Sequence, residues 1–345
     1  MRWELADGPH DQGALFEQPV FEREPGRGEF RGMEFLHVRA RTIVNELKGD
    51  ALLPFRFTIN AYRGCSHGCS YCFARPTHAY LDLDTGRDFE RRIVVKVNAV
   101  ERLRAELDPR RWRGDHIAMG TNTDPYQRCE GKYRLTRGLV EVLGEAANPF
   151  SILTKSTLIL RDLDLLIAAA ARTDVRVNLS IGTLDDEVWR ATEPGTPHPR
   201  RRVEAVRRLN EAGIPTGVLV APVLPGLSDR PEQIDDVVGA CIDAGAVSVS
   251  SVLLHLRPGV KQGYLDALRE THPQLLDSYQ RLYGDRSYAP KDERRRVAGL
   301  VHAAVRRHGG VAPTSFDEQV RGAASVSVRP SRKRGPDAPG QMSLL

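Results

Sequence analysis

No apolar run in the chain approaches ~18 residues, so a transmembrane helix is not expected. The opening residues, MRWELADGPHDQG, lack the basic stretch and apolar run of a signal peptide. Cysteine is scarce: five in 345 residues do not make a disulfide framework. Neither sign of charge prevails. Lys and Arg number 50 against 45 acids, and a net charge of +5 does not by itself indicate a nucleic-acid partner. No mid-chain basic stripe with interleaved aromatics is found either. Neither GxGxxG nor GxxxxGK followed by Ser or Thr occurs, which removes the usual nucleotide-binding loops. These absences leave the expectation of a soluble, cytoplasmic protein whose chemistry has another source.

Apolar material is present in quantity. Hydrophobic residues make up 41% and charged residues 28%, which supports a sizeable core and excludes a disordered or collagen-like chain. Charge is unevenly placed. From residue 291 onward there are eleven Lys or Arg and five acids, a local net of +6. The last fifteen residues, SRKRGPDAPGQMSLL, read as a flexible basic tail, either a solubilising end or a contact for a polyanion.

Residues 1–54 are mixed in polarity and rich in Gly and Pro, and read as an extension with a helix near 38–48. From residue 55 strands and helices alternate. FRFTINAY is a strand, and a helix follows over 90–107, with Val94, Val97, Val100 and Leu103 at helical spacing. Further strands are expected at 115–120, 150–155, 174–181, 214–223 and 246–254. Helices are expected at 133–146, 160–171, from Pro199 to Gly213, and at 231–243. Longer helical patterns cover 261–283 and 290–308. Six short Val/Ile-rich strands alternating with helices argue an α/β fold with a parallel sheet. A barrel, a partial barrel and a flat doubly wound sheet all fit this periodicity. In each, reactive groups sit at the C-terminal ends of strands. The expected division is 1–54 extension, 55–255 catalytic unit, 256–324 helical region and 325–345 basic tail.

Directly after the first strand comes YRGCSHGCSYCFARP, residues 62–76. Cys65, Cys69 and Cys72 fall within eight residues. Soft sulfur ligands so close suit zinc, copper(I) or an iron–sulfur cluster. His67 or His78 could complete a zinc site. Three cysteines could instead hold a [4Fe–4S] cluster and leave one iron open to a small molecule. Buried or redox-active thiols are the third reading. Gly64 and Gly68 would let the backbone wrap closely around a bulky centre.

Cys65-x3-Cys69-x-Tyr71-Cys72 resembles the signature of radical S-adenosylmethionine (SAM) enzymes. INAYRGCSHGCSYCFARPTHAY, GTNTDPYQ at 120–127 and EPGTP at 193–197 are similar to the branch related to spore photoproduct lyase. The resemblance covers about residues 55–255. It implies a partial (β/α)6 TIM-like barrel with an N-terminal extension and a helical, basic C-terminal region. It also implies a [4Fe–4S] cluster on the three cysteines, with SAM chelating the open iron through its amino and carboxylate groups. One electron, from a reductant such as flavodoxin or ferredoxin, would cleave SAM to methionine and a 5′-deoxyadenosyl radical. That radical would abstract a substrate hydrogen.

By the same resemblance Tyr71 lies near the adenine, and Thr123 and Asp124 meet the methionine amino group. Lys155 faces the methionine carboxylate. Ser180, with Asn178 on the same strand face, lies near the carboxylate and ribose, and Val220–Gly226 lines the adenine pocket. Blander roles exist for each: a turn at Asp124-Pro125, a surface lysine, a serine that satisfies backbone. Glu193 would face the substrate or brace a loop. Cys129 is a loop thiol near the presumed mouth, exposed and reactive or incidental, and Cys241 belongs to the core. His67 is expected to point to solvent or backbone, and His78 to cap a turn. The lyase reaction uses a cysteine near the end of the second strand, and the matching MGTNTD has none. The alternatives are therefore a radical enzyme of unknown substrate, a photoproduct-lyase-like DNA repair enzyme, and a non-catalytic iron–sulfur or zinc protein that binds nucleic acid.

Overall fold

The computed structural model describes residues 20–47 and 55–310. The expected basic tail at 325–345 lies outside the described residues. The strands in chain order are β1 (Glu22–Pro25), β2 (Glu34–Val38), β3 (Val44–Glu46), β4 (Phe57–Ile59), β5 (Tyr62–Arg63), β6 (Arg92–Lys96), β7 (Ile117–Met119), β8 (Phe150–Thr154), β9 (Val175–Ser180), β10 (Thr216–Val223) and β11 (Val249–Leu253). Seven form one sheet in the order β11-β10-β9-β8-β7-β4-β3. Six of these, β4 and β7 to β11, pair in parallel, while β3 runs antiparallel on the β4 edge. The register Phe57–Ile117–Phe150–Val175 aligns the strands, so their C-terminal ends share one rim. This is the partial (β/α)6 barrel architecture, built from the six strand–helix alternations.

Alternation along each strand decides its two faces. Phe150, Ile152, Val175, Val177, Leu179, Val218 and Val220 are buried in the main apolar core. Helices Leu163–Ala170, Pro199–Glu211 and Pro231–Asp243 pack against β9 and β10, and Lys291–Arg307 packs against β11. Ser151, Asn178, Ser180 and Gly217 lie on the opposite face, together with Leu153 and Leu219. Helix Pro199–Glu211 opens with Pro199 at its first turn, where no backbone donor is needed. Arg202, Ala205, Val206 and Leu209 form its buried face. Among the described residues no helix is long and apolar enough to cross a membrane.

Four sequence expectations are corrected. The helix near 38–48 is replaced by the end of β2 and by β3. β-branched Ile43 and Val44 favour extended backbone, and their amides donate to the Glu106 carboxylate at 2.9 Å each. The helix at 90–107 is strand β6 followed by a helix over Ala99–Glu106 only. The valines three apart mimic a helical face, but the run RIVVK supplies a strand that pairs with β2 and β5. Asn98 then turns the chain, its side chain bonding both Ala40 N (2.8 Å) and Ala40 O (3.0 Å). A second sheet, β1-β2-β6-β5, results, which sequence periodicity did not announce. FRFTINAY is likewise split between the two sheets as β4 and β5. The expected helix 261–283 breaks at Pro273 into Lys261–Thr271 and Leu276–Tyr283.

Candidate active site

The chain leaves β5 through Gly64, at φ +78°. A Cβ there would lie 2.8 Å from Phe89 O and 2.9 Å from the His78 ring, so only glycine permits the turn. The loop that follows carries Cys65 and Cys69, both buried, and half-buried Cys72, all three as free thiols. Backbone bonds coil it: Cys65 N to Phe89 O (2.9 Å), Gly68 N to Cys65 O (3.4 Å) and Cys72 N to Cys69 O (3.2 Å). Buried Arg75 clamps the loop from outside, donating twice to Cys69 O at 3.1 and 3.0 Å.

Burial pushes all three thiols upward, Cys69 to about 12. Asp124 and the neighbouring cysteines raise Cys65 further. Thiolates here need a compensating positive centre, which is what a metal supplies. Ser66 Oγ, inside the same loop, is buried without a hydrogen-bond partner. Neither histidine serves as a fourth ligand. His67 is buried with Nδ1 3.4 Å from Asp124 Oδ2, and buried His78 turns Nε2 to Arg92 O at 2.9 Å and packs edge-on against Phe89. His67 was expected to point to solvent or backbone and instead faces the Asp124 carboxylate, and the His78 side chain bonds the Arg92 carbonyl rather than capping its own turn. Among the described residues, no three His, Cys, Asp or Glu side chains are arranged to hold a single metal ion. Three thiols and an orphaned hydroxyl in one closely wrapped loop fit the cluster and not the zinc reading.

The neighbouring strand ends converge on this loop. Thr123, past β7, donates from Oγ1 to Gly64 O at 2.6 Å. Gln127 extends that link through Nε2 to Gly64 O (3.0 Å) and takes Ser66 N on Oε1 at 2.9 Å. Asp124 accepts from Thr154 Oγ1 (2.6 Å), Lys155 N (2.7 Å) and Tyr126 N (2.9 Å). It therefore both forms the turn and joins β7 to β8. The Lys155 ammonium donates to Ser180 Oγ (2.7 Å), Glu193 Oε1 (2.9 Å) and Ala221 O (3.1 Å). It also stands 5.6 Å over the Tyr71 ring. Asn178 lies one pleat deeper on the same face of β9 as Ser180, with Gly217 beside its amide.

Glu193 is the hub of this network. It accepts from Tyr71 Oη and Lys155 on Oε1, and pairs with Arg202 through Oε2. Burial raises its carboxyl pKa, but Arg202 and Lys155 outweigh burial and hold it well below the usual carboxylate range. Burial first, then Glu193, pushes the Tyr71 phenol well up, so it stays a neutral donor. Glu193 opens the EPGTP loop, which docks on the cysteine loop: Gly195 N donates to His67 O at 3.0 Å, and Ser70 N donates to Thr192 O at 3.0 Å. A Cβ on Gly195 would stand 2.3 Å from Ser66 O.

Cys65, Cys69, Cys72, Tyr71, Thr123, Asp124, Lys155, Ser180 and Glu193 are thus brought to one rim. Cys129 is not. It is fully buried in the main core, where Tyr62 and Glu130 are its electrostatic neighbours. Burial first, then Glu130, pushes its thiol well up. Of its two expected readings, exposed and reactive or incidental, the exposed one is corrected: DPYQRCEGK folds inward because Glu130, itself buried, is bound by Tyr62, Arg161 and the Thr136 amide. Cys241 is core, as expected. The residues that sequence reasoning missed are Gln127 and Arg202. Arg202 left a signal, since it occupies an apolar-face position three, four and seven residues before Ala205, Val206 and Leu209.

The Radical SAM superfamily is matched over residues 59–238. An uncharacterized protein of Mycobacterium tuberculosis is 42% identical over 299 residues, 85% of this chain and 88% of its own length. One from Methanocaldococcus jannaschii is 28% identical over 197 residues, 57% of this chain and 70% of its own. A variant of spore photoproduct lyase with dinucleoside spore photoproduct shares the fold, with TM-score 0.61 at 16% identity, covering 82% of this chain and 83% of that one. The chain belongs to the radical SAM superfamily, and is an enzyme of that class. Its cofactors are a [4Fe–4S] cluster and SAM, which together supply reductive cleavage of SAM to a 5′-deoxyadenosyl radical.

Proposed function

We propose that the rim formed by Tyr71, Thr123, Asp124, Lys155 and Ser180 holds SAM beside a cluster on Cys65, Cys69 and Cys72, with Asn178 deeper in the same wall. In this reading Lys155 takes the methionine carboxylate as a charge-assisted partner, while Asp124 and Thr123 flank the amino group. Tyr71 borders the adenine, along with the backbone of Val220–Gly226. Residues 55–255 form the catalytic unit. The observation that carries this reading is the Lys155 ammonium itself, held within 3.1 Å of Ser180 Oγ, Glu193 Oε1 and Ala221 O and 5.6 Å over the ring of Tyr71 in the cysteine loop. Lys155→Met should weaken SAM binding about tenfold or more while leaving the cluster loaded. The check is the SAM-dependent change in the reduced cluster's EPR signal, and an unchanged titration would reject the assignment.

The substrate of the radical is not spore photoproduct in this reading. MGTNTD carries no hydrogen-donating cysteine, and Cys129 is fully buried, with Glu130 and Lys132 as its charged neighbours. A reductant of the flavodoxin or ferredoxin kind would deliver the electron. A cytoplasmic location follows from an oxygen-labile cluster and thiols that must stay reduced.

A further inference from the structure

Arg202 has no part in the reading above, yet it is the largest fully buried side chain among the described residues. It is 1% exposed. It donates to Pro197 O (2.8 Å) and Ser180 O (3.1 Å), and also to Thr196 Oγ1. Its pairing with Glu193 Oε2 leaves Oε1 to Lys155 and Tyr71. Three charges are thus shut in together: two cations and one carboxylate. The fourth charge nearby, Asp124, is turned to Thr154, to the amides of Lys155 and Tyr126, and to His67. Asp124 balances the sum over all four, but within the Arg202–Glu193–Lys155 triad the cations outnumber the carboxylate by one, and an anion beside Lys155 completes it.

We propose that Arg202 is a positioning residue that sets the affinity of this rim for a carboxylate-bearing ligand. By engaging Glu193 Oε2, it prevents Glu193 from cancelling Lys155 and leaves the ammonium with a charge to spare. The inference rests on the role proposed for Lys155 and deepens it: the methionine carboxylate of SAM is the completing anion. Without Arg202, Lys155 and Glu193 would neutralise each other, and the rim would lose its pull on an anion.

The test is SAM titration of the reduced, reconstituted full chain, followed by the change in the cluster EPR signal, with iron, sulfide and melting temperature measured in parallel. Arg202→Met should raise the SAM Kd about tenfold or more, since even a modest buried charge interaction exceeds the energy of one decade. The double variant Arg202→Met/Glu193→Gln restores the net single positive charge and should recover most of that loss. Arg202→Lys keeps the charge and should stay within about threefold of the unmodified protein. A double variant that binds no better than Arg202→Met would overturn the proposal. So would an Arg202→Met variant with unchanged affinity. If the methionine variant does not hold a cluster, a tenfold loss in Arg202→Lys would refute the charge argument on its own. Lys155→Met separates the two levels. Unchanged SAM affinity there removes the Lys155 assignment, whereas a loss there with no effect at Arg202 removes only this inference.

Discussion

Gly195→Ala tests whether the EPGTP loop and the cysteine loop act as one assembly. The added Cβ would meet Ser66 O at 2.3 Å and His67 O at 2.8 Å, both backbone atoms that cannot rotate away. An ordinary contact needs ~3.5 Å, so the loops must part by about 1 Å. That parting breaks Gly195 N to His67 O and strains Ser70 N to Thr192 O, now both 3.0 Å. Two buried backbone bonds lost or weakened imply a destabilisation of ~1–3 kcal/mol. The larger effect falls on chemistry, because Glu193 moves with Gly195 and carries Lys155 and Tyr71 with it. A displacement of ~1 Å at a positioning loop costs up to about 100-fold in rate. Anaerobic reconstitution should therefore give a loaded cluster, a melting temperature lowered by a few degrees, and 5′-deoxyadenosine formation reduced by one to two decades. Unmodified stability and rate in Gly195→Ala would show that the two loops are not coupled, and the hub role of Glu193 would fall with them.

Buried Lys96 gives a pH-dependent prediction. Burial, then Arg63, against the opposing pull of Glu106, lowers its pKa to about 7 from an ordinary 10.5. The unfolded chain therefore binds the extra proton between these values, and folding stability rises with pH across them. Lys96→Met should stabilise the protein by on the order of 5 kcal/mol below pH ~7, with the gain fading toward pH ~10.5; a pH-independent difference in urea midpoints would contradict this. Cys129→Ala should cost about 1 kcal/mol of stability, through lost core packing, and leave SAM cleavage intact. A selective loss of cleavage in that variant would return Cys129 to the reaction. With spore-photoproduct DNA and deuterated SAM, no efficient lesion reversal is expected; rapid turnover to repaired thymines would refute the reading of MGTNTD.

The fold was legible where one strand face is uniformly apolar. β8 to β11 announce themselves through Val, Ile and Leu bounded by Pro and Gly, and helices Pro199–Glu211 and Pro231–Asp243 through proline at their starts. It was illegible where two periods coincide: Val94, Val97 and Val100 satisfy a helical spacing, yet Val94 belongs to a strand whose partner, β2, lies more than fifty residues earlier. No local pattern carries that pairing. The cysteines were legible because thiol crowding needs a chemical cause; Lys155 and Ser180 were singled out by family resemblance alone, and the fold hydrogen-bonds them to each other. Arg202 escaped because its purpose is visible only once the EPGTP loop is folded around it. Cys129 was misplaced because a polar-looking loop segment turned inward on the buried Glu130 network.

The central claim is radical SAM chemistry at this rim, and product detection tests it most directly. The chain, reconstituted anaerobically, reduced and supplied with SAM, should hold about four irons and four sulfides and release 5′-deoxyadenosine and methionine. The same preparation carrying Cys65→Ala, Cys69→Ala and Cys72→Ala should release neither. One tightly bound zinc without sulfide, and no 5′-deoxyadenosine from the unmodified chain, would contradict the account.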